Sequence, residues 1–190
     1  QSLFHLGRAE EGRLQYEQAK LYFASALQHF QSEGKQKVAK LPHGNDDCSE
    51  SVYMEEKLLV ELEAINLWTA RILRHMAHIH KETGLIDKAA SCYEECLRIR
   101  SQCKAVKKKS ANSAMIKQEL ANCLFDAQRY DESLVYLAQC MRPYVIQFGK
   151  NSVEVADLLS DMGKSFAMKS KYEKSVHCYD KALHYLEYKD

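Results

Sequence analysis

Glycine and proline are scarce in this sequence, with seven and two among 190 residues. Both interrupt helices, and 46% of the residues are apolar, so the composition favours a well-packed and mostly helical body. An excess of charge is also lacking: the net charge of +1 gives no global reason to expect binding to nucleic acid or to a membrane surface. No apolar run approaches the roughly 18 residues of a membrane span, and no secretory signal is recognisable. We therefore expect a cytoplasmic protein.

Catalytic signatures are missing as well. The sequence has no glycine-rich phosphate loop, no GxSxG turn and no HExxH pair. No two carboxylates are isolated on an apolar surface, as general acid–base chemistry would favour. We predict that the protein is not an enzyme and needs no cofactor.

What the sequence does contain is one two-helix phrase, present four times. Each copy has a large apolar residue, then an apolar–small pair, a short polar turn, a small residue, and an aromatic or leucine four positions later. The four copies are Leu3, Leu6, Gly7, Ala19 and Phe23; Leu73, Met76, Ala77, Ala89 and Tyr93; Lys117, Leu120, Ala121, Ser133 and Leu137; and Leu159, Met162, Gly163, Ser175 and Tyr179. A second small residue closes each copy, at Ala26, Cys96, Cys140 and Ala182. Only Lys117 departs from the pattern.

This phrase resembles the tetratricopeptide repeat, a helix–turn–helix unit that stacks into a solenoid. The resemblance implies an all-α fold, a right-handed α-solenoid of about four repeats. Small residues let the helices approach closely while large residues fill the remaining space. One unit cannot bury its apolar face alone, so at least three must stack. The chain starts two residues before the first copy and ends seven after Leu183 without a polar capping helix. We therefore expect a piece of a larger protein or one that caps itself against a partner.

The spacing of the copies indicates long units. Successive second-helix small residues, Ala89, Ser133 and Ser175, lie 44 and 42 residues apart, against about 34 in the usual unit. Long units of this kind resemble those of kinesin light chains. Ala19 and Ala89 are 70 residues apart, and Gln31–Ser51 holds helix-breaking residues, so we predict an exposed loop there. The excess that remains indicates either one extended helix or a short extra helix.

We predict a single solenoid domain over residues 1–190. Its parts are repeat 1 at about 1–31, an insertion loop at about 32–51, repeat 2 at about 52–104, repeat 3 at about 112–149 and repeat 4 at about 152–188.

The seven cysteines are better explained by packing than by metal binding. Cys96 and Cys140 occupy a small-residue place that alanine holds in the other copies, and free cysteine behaves as a small hydrophobe. An odd number of reduced thiols suits the cytosol. A zinc site of Cys92 and Cys96 with nearby histidines is conceivable, but no CxxC knuckle is present, so we predict no metal. Cys48, in the predicted loop, is the thiol expected to react freely.

The resemblance also implies where a partner binds. In such solenoids the first helix of each unit lines a concave groove, and four places per helix tend to face it. The groove residues are Arg71, Arg74, His78 and Lys81 in the second copy; Met115, Gln118, Asn122 and Phe125 in the third; and Asp157, Ser160, Lys164 and Ala167 in the fourth. Of these we predict partner contacts for Arg71, Arg74, His78, Lys81, Gln118, Asn122, Ser160 and Lys164. The basic stripe of the second copy makes an acidic peptide the expected ligand, although solvated charges explain it equally well.

Two features bear on other ligands. The family's carboxylate clamp needs a lysine and an asparagine in the first unit, where this chain has Phe4 and Arg8. A basic run follows the second copy, at Arg98, Arg100, Lys104, Lys107, Lys108 and Lys109. It could meet an acidic partner or nucleic-acid phosphates, but no aromatic residues alternate with it, and a solvated helix end is the favoured interpretation.

Two classes of function stay open. The favoured one is an adaptor whose groove captures an extended or helical segment of another protein. The alternative is an architectural subunit of a large cytoskeletal, ciliary or ubiquitin-ligase complex, with the groove permanently filled. In either case the predicted insertion loop could fold into the groove as an autoinhibitory plug.

Overall fold

The computed structural model describes residues 2–12, 16–40, 49–103 and 110–187, and within these ranges the only regular elements are eight α-helices. They are α1 (Ser2–Gly12), α2 (Tyr16–Val38), α3 (Ser49–Glu82), α4 (Ile86–Gln102), α5 (Ser110–Asp126), α6 (Tyr130–Phe148), α7 (Val153–Met168) and α8 (Tyr172–Glu187). Each helix packs mainly on its neighbours along the chain. The predicted all-α solenoid is confirmed.

The core is divided among three apolar clusters, one at each successive junction of helix pairs. The first joins α1, α2 and α3 around Phe4 and Phe23. The second joins α3, α4 and α5 around Tyr93 and Leu120, and the third joins α5 to α8 around Leu137. Because every pair contributes to a cluster shared with the next pair, the stability of each repeat depends on stacking, as expected of a solenoid.

The small residues of the repeated phrase lie where two helices of a pair come closest. A Cβ atom added at Gly7 would lie 2.8 Å from the Phe23 ring, and one added at Gly163 would lie 2.9 Å from the Tyr179 ring. These are the apolar–small and aromatic places of copies one and four. The spatial meeting of residues that are sixteen positions apart confirms the register that the sequence indicated.

The two cysteines at the closing small place are buried in equivalent contacts. Cys96 and Cys140 have no exposed surface. Their thiols donate to the carbonyl oxygens of Ala70 and Ala114 at 3.0 and 3.1 Å. Burial raises the pKa of each thiol to about 12. Both are therefore neutral packing groups within their helix pairs, as predicted.

The first helices of the last three pairs end in the same turn. The backbone has positive φ at Gly84 (75°), Gln128 (62°) and Ser170 (55°). After each of these residues an N–H closes the helix end: Leu85 donates to His80, Arg129 to Leu124 and Lys171 to Phe166, at 2.8–2.9 Å. The turn therefore keeps one backbone geometry, although of these three copies only the second has glycine in the left-handed position.

The predicted loop Gln31–Ser51 is wrong over much of its length. Helix α2 continues to Val38, and α3 begins at Ser49, so only 41–48, with Pro42 and Cys48, lies outside the described residues. The glycine in this part of α2, Gly34, packs against α3, with Ile65 3.5 Å from its would-be Cβ. Lys37 of α2 is ion-paired with Glu61 of α3. Tertiary contact therefore keeps α2 helical past a residue of low helix propensity.

Helix α3 accounts for the extra residues between the first and second repeats. It is a single helix of 34 residues, which corresponds to the extended-helix alternative rather than to a short additional helix. Despite its length it is rich in charged residues, and no helix of the described ranges is both long and apolar enough to cross a membrane.

Candidate functional site

Helices α3, α5 and α7 lie side by side, and we call the surface that they form the first-helix face. Polar side chains join each helix to the next. Arg74 of α3 makes a two-pronged ion pair with Glu119 of α5, with Nε 2.8 Å from Oε2. Gln118 of α5 donates from Nε2 to Asp161 Oδ2 of α7 at 2.9 Å. The predicted groove residues of neighbouring repeats therefore lie on one continuous surface.

These contacts repeat with the units. Arg74 and Gln118 hold the same place in successive copies, and Glu119 and Asp161 hold the place one residue later in the following copy. The acidic partners were not among the predicted site residues. Glu119 and Asp161 lie 42 residues apart at equivalent positions, which the sequence shows. That they pair with Arg74 and Gln118 can be predicted only when it is known which helices are neighbours.

The basic stripe of α3 is largely neutralised by its surroundings. Besides the Arg74–Glu119 pair, Lys81 lies 3.3 Å from Asp126, and His78 lies 3.9 Å from Glu82. The hydrogen bonds that Arg74 donates to Glu119 are the main reason that the pKa of Arg74 is raised. Glu119 and Asp126 of the next repeat therefore offset the charges of Arg74 and Lys81.

Arg71 has a different environment from the rest of that stripe. Its guanidinium carbon lies 5.2 Å from the Phe4 ring centroid and 5.3 Å from that of Trp68. Cation–π contacts of this kind hold the side chain over the two rings. Phe4, at a carboxylate-clamp place, is fully buried in the apolar cluster that joins α1, α2 and α3.

On α5, the predicted residues form part of a polar network. Gln118 accepts a hydrogen bond from Tyr144 Oη at 2.7 Å in addition to its contact with Asp161. The amide of Gln118 therefore donates one hydrogen bond and accepts another, which fixes its orientation. Asn122 is half-buried and Met115 is 40% exposed. Phe125 packs edge-on against Tyr130 at 5.3 Å.

On α7, Lys164 lies 3.0 Å from Asp161, and this hydrogen bond is the main cause of its raised pKa. Ser160 is half-buried, and Asp157 is exposed. Asp161 therefore accepts hydrogen bonds from both α5 and its own helix.

A cavity of about 600 Å³ opens between α3 and α5. Its walls are Ala64, Leu67, Trp68, Ala70, Arg71, Arg74, Arg100, Asn112, Met115 and Ile116. Arg100 reaches it from α4, and its Nε is buried without a hydrogen-bond partner among the described residues. The cavity thus combines an apolar wall with the guanidinium groups of Arg71, Arg74 and Arg100.

The other candidate sites receive no support from the geometry. Across residues 2–12, 16–40, 49–103 and 110–187, no three His, Cys, Asp or Glu side chains come together as a metal ion would require. Burial raises the pKa of the Cys92 thiol. Arg98 is paired with Glu95 of its own helix at 2.6 Å. The remaining lysines of the basic run, within 104–109, and Cys48 lie outside the described residues.

Comparison with known proteins supports the repeat assignment. The family model described as tetratricopeptide repeat matches residues 70–103, which span the end of α3 and all of α4. No curated protein sequence matches the chain.

Solved structures share the fold at low identity. BtubC (BKLC) from P. vanneervenii superposes with a TM-score of 0.60 at 17% identity, over 95% of this chain and 70% of that one. A putative kinesin light chain with nearly identical TPR-like repeats, from Podosopora anserina, gives 0.55 at 11% identity, over 97% and 93%. The similarity to a kinesin light chain-like solenoid agrees with the long spacing of the copies. One repeat of the chain, residues 70–103, therefore matches the tetratricopeptide-repeat model, and nearly the whole chain has the fold of a solenoid with TPR-like repeats.

Proposed function

We propose that this chain is a protein-interaction module that binds a segment of a partner protein along the first-helix face. The tetratricopeptide fold supports protein–protein interaction in general, because stacked repeats present an extended surface. The observation that carries the proposal is the cavity between α3 and α5, which lies on the face that the repeat register predicted. Arg71, Arg74, His78, Lys81, Gln118, Asn122, Ser160 and Lys164 remain the proposed contact residues.

The lining of the cavity specifies the chemistry of the segment. Trp68 and Met115 offer apolar surface to an apolar side chain. Arg71 and the buried Nε of Arg100 favour a carboxylate beside it. The preference for an acidic segment therefore rests on these two arginines, because Arg74 and Lys81 already have carboxylate partners.

The experiment uses random peptides selected on the immobilised chain, followed by calorimetry of a selected peptide. We expect selected sequences to pair an acidic residue with a large apolar one. Arg71→Glu should weaken binding by about tenfold, the loss expected when a well-placed charge contact worth about 1.4 kcal/mol is removed. Added salt should weaken the parent's binding, because charge pairs at the surface are screened.

Arg142→Glu is the matched control, since Arg142 is an exposed arginine of α6 away from the cavity. It should bind the selected peptide as the parent does. Equal affinity of the parent and Arg71→Glu, or selection without acidic residues, would remove Arg71 from the site.

The alternative function is an architectural subunit that stays assembled through its surfaces. Exposed apolar residues on α8, with Val176 56% and Leu183 57% exposed, favour it. Peptides that fail to bind the first-helix face would leave this alternative as the better account.

A further inference from the structure

Helix α8 carries an apolar stripe that nothing in the described structure covers. Tyr172, Val176, Leu183 and Leu186 are 66%, 56%, 57% and 43% exposed, and Tyr179 lies half-buried between them. Their spacing alternates four and three residues, which places all five on one side of the helix. We call these five residues the α8 stripe.

The same places are covered in the inner repeats. In α6 they hold Tyr130, Leu134, Leu137, Met141 and Tyr144, all buried or half-buried. Leu137 and Tyr144 pack with Leu158 and Leu159 of α7 in one cluster. In α4, Tyr93 and Leu97 pack with Leu120 and Leu124 of α5. The first helix of the next repeat therefore packs on each inner stripe.

We propose that the α8 stripe docks an amphipathic helix of a partner protein, which lies on α8 as α5 lies on α4 and α7 on α6. Leu120 and Leu124 of α5, and Leu158 and Leu159 of α7, show the pattern required of that helix: large apolar residues on one side, one turn or less apart. This surface is separate from the first-helix face and does not depend on its function.

Acidic residues beside the α8 stripe indicate the charge of the docked helix. Glu173, Asp180 and Glu187 are exposed, lie seven residues apart and follow one flank of the stripe. The residue equivalent to Glu173 in α6 is Asp131, which is ion-paired with Lys169 just after α7. By analogy, the docked helix carries basic residues, one of them at its C-terminal end against Glu173.

A second copy of the chain fits the stripe less well. Two α8 stripes packed against each other would bring the acidic flanks of both copies together, which is unfavourable. A head-to-tail copy would present α1, whose sequence has Leu6 at the place of Leu120 but Ser2 and Glu10 at those of Ile116 and Leu124. That end therefore lacks two of the three apolar places that α5 supplies.

The chain itself supplies a probe with the required pattern. A synthetic peptide of residues 150–171 contains α7 with Lys169 and Lys171, and a hydrocarbon staple away from its apolar seam makes it helical. We expect saturable binding to the intact chain in a fluorescence-anisotropy titration. Val176→Lys with Leu183→Lys should weaken it at least about tenfold, since buried apolar anchors dominate such interfaces.

Val135→Lys with Ile146→Lys is the matched control. These residues of α6 are 57% and 72% exposed, close to the tested pair, but lie off the inner stripe. The control should bind the peptide as the parent does, and both double variants should melt like the parent. Arg71→Glu should not change this binding, which separates it from the first-helix face.

A charge exchange tests the orientation. Glu173→Lys should weaken binding of the parent peptide about threefold or more, as expected for a partly exposed charge pair. A peptide with Lys169→Glu should recover affinity for this variant. Absence of saturable binding to the parent, or equal loss in the control pair, would overturn the proposal. Sedimentation showing a parent dimer that Val176→Lys with Leu183→Lys dissociates would also overturn it, because a second copy would then be the occupant.

Discussion

The interior of the helix pairs and the first-helix face follow different rules. In the interior, each contact joins places of one repeat: Cys96 with Ala70, Gly163 with Tyr179. On the face, contacts cross from one repeat to the next: Arg74 with Glu119, Gln118 with Asp161. Positions in the interior require side chains of a particular size, whereas positions on the face require side chains of a particular charge and hydrogen-bonding capacity.

The difference has an energetic consequence. Cys96 and Ala70 have no exposed surface, so added volume there must displace a helix or force a strained rotamer. The polar pairs on the face are about one-third exposed and are partly screened by water. Substitutions inside the pairs should therefore destabilise more than reversal of a charge on the face.

The largest effect is expected from Cys96→Leu. Cys96 is fully buried between α3 and α4 with its thiol against the Ala70 carbonyl, so leucine should overpack this contact and cost about 1–3 kcal/mol. Cys96→Ala keeps the small size and should cost about 1 kcal/mol or less. The free energy of unfolding in urea measures both. If Cys96→Leu matches the parent, the interior is not selected by size at this place.

Arg74→Glu tests the face. It removes the pair with Glu119 and places two carboxylates together, so it should cost about 1 kcal/mol, less than Cys96→Leu because both partners are partly exposed.

The double variant Arg74→Glu with Glu119→Arg should recover part of the loss, whereas Arg142→Glu, at an exposed site, should cost little. Urea unfolding of the parent, of the single variants Arg74→Glu and Glu119→Arg and of the double variant completes the cycle, with Arg142→Glu as the control. A loss in Arg74→Glu no greater than in Arg142→Glu, without recovery in the exchanged pair, would show that the Arg74–Glu119 contact does not stabilise the stacking.

This contrast also explains what the sequence could predict. The interior pattern recurs within every copy. Small residues such as Gly7, Ala89 and Cys140 therefore predicted the fold without any information on which helices of different repeats are neighbours. The partners of Arg74 and Lys81 come from the next copy, and their identity depends on the stacking geometry. The predicted loop was wrong at Gln31–Val38 for a related reason. Gly34 was interpreted from local propensity, but its packing against Ile65 of α3 keeps the helix intact.

The smallest effect is expected in the turns that follow the first helices. The backbone conformation of these turns is the same in the copies, but the residue in the left-handed position differs. Gly84 and Gln128 occupy the same left-handed position, with φ of 75° and 62°. The left-handed conformation costs a non-glycine residue about 1–2 kcal/mol, and glycine loses roughly 0.5–1 kcal/mol more conformational entropy on folding. Gln128→Gly should therefore stabilise the chain by about 0.5–1 kcal/mol, since the N–H of Arg129 still donates to Leu124. Gly84→Ala should destabilise it by a similar amount. Urea unfolding of the two variants, with opposite signs expected, decides whether backbone conformation alone sets the turn. A loss of stability in Gln128→Gly would mean that the glutamine side chain contributes more to this turn than its backbone strain removes.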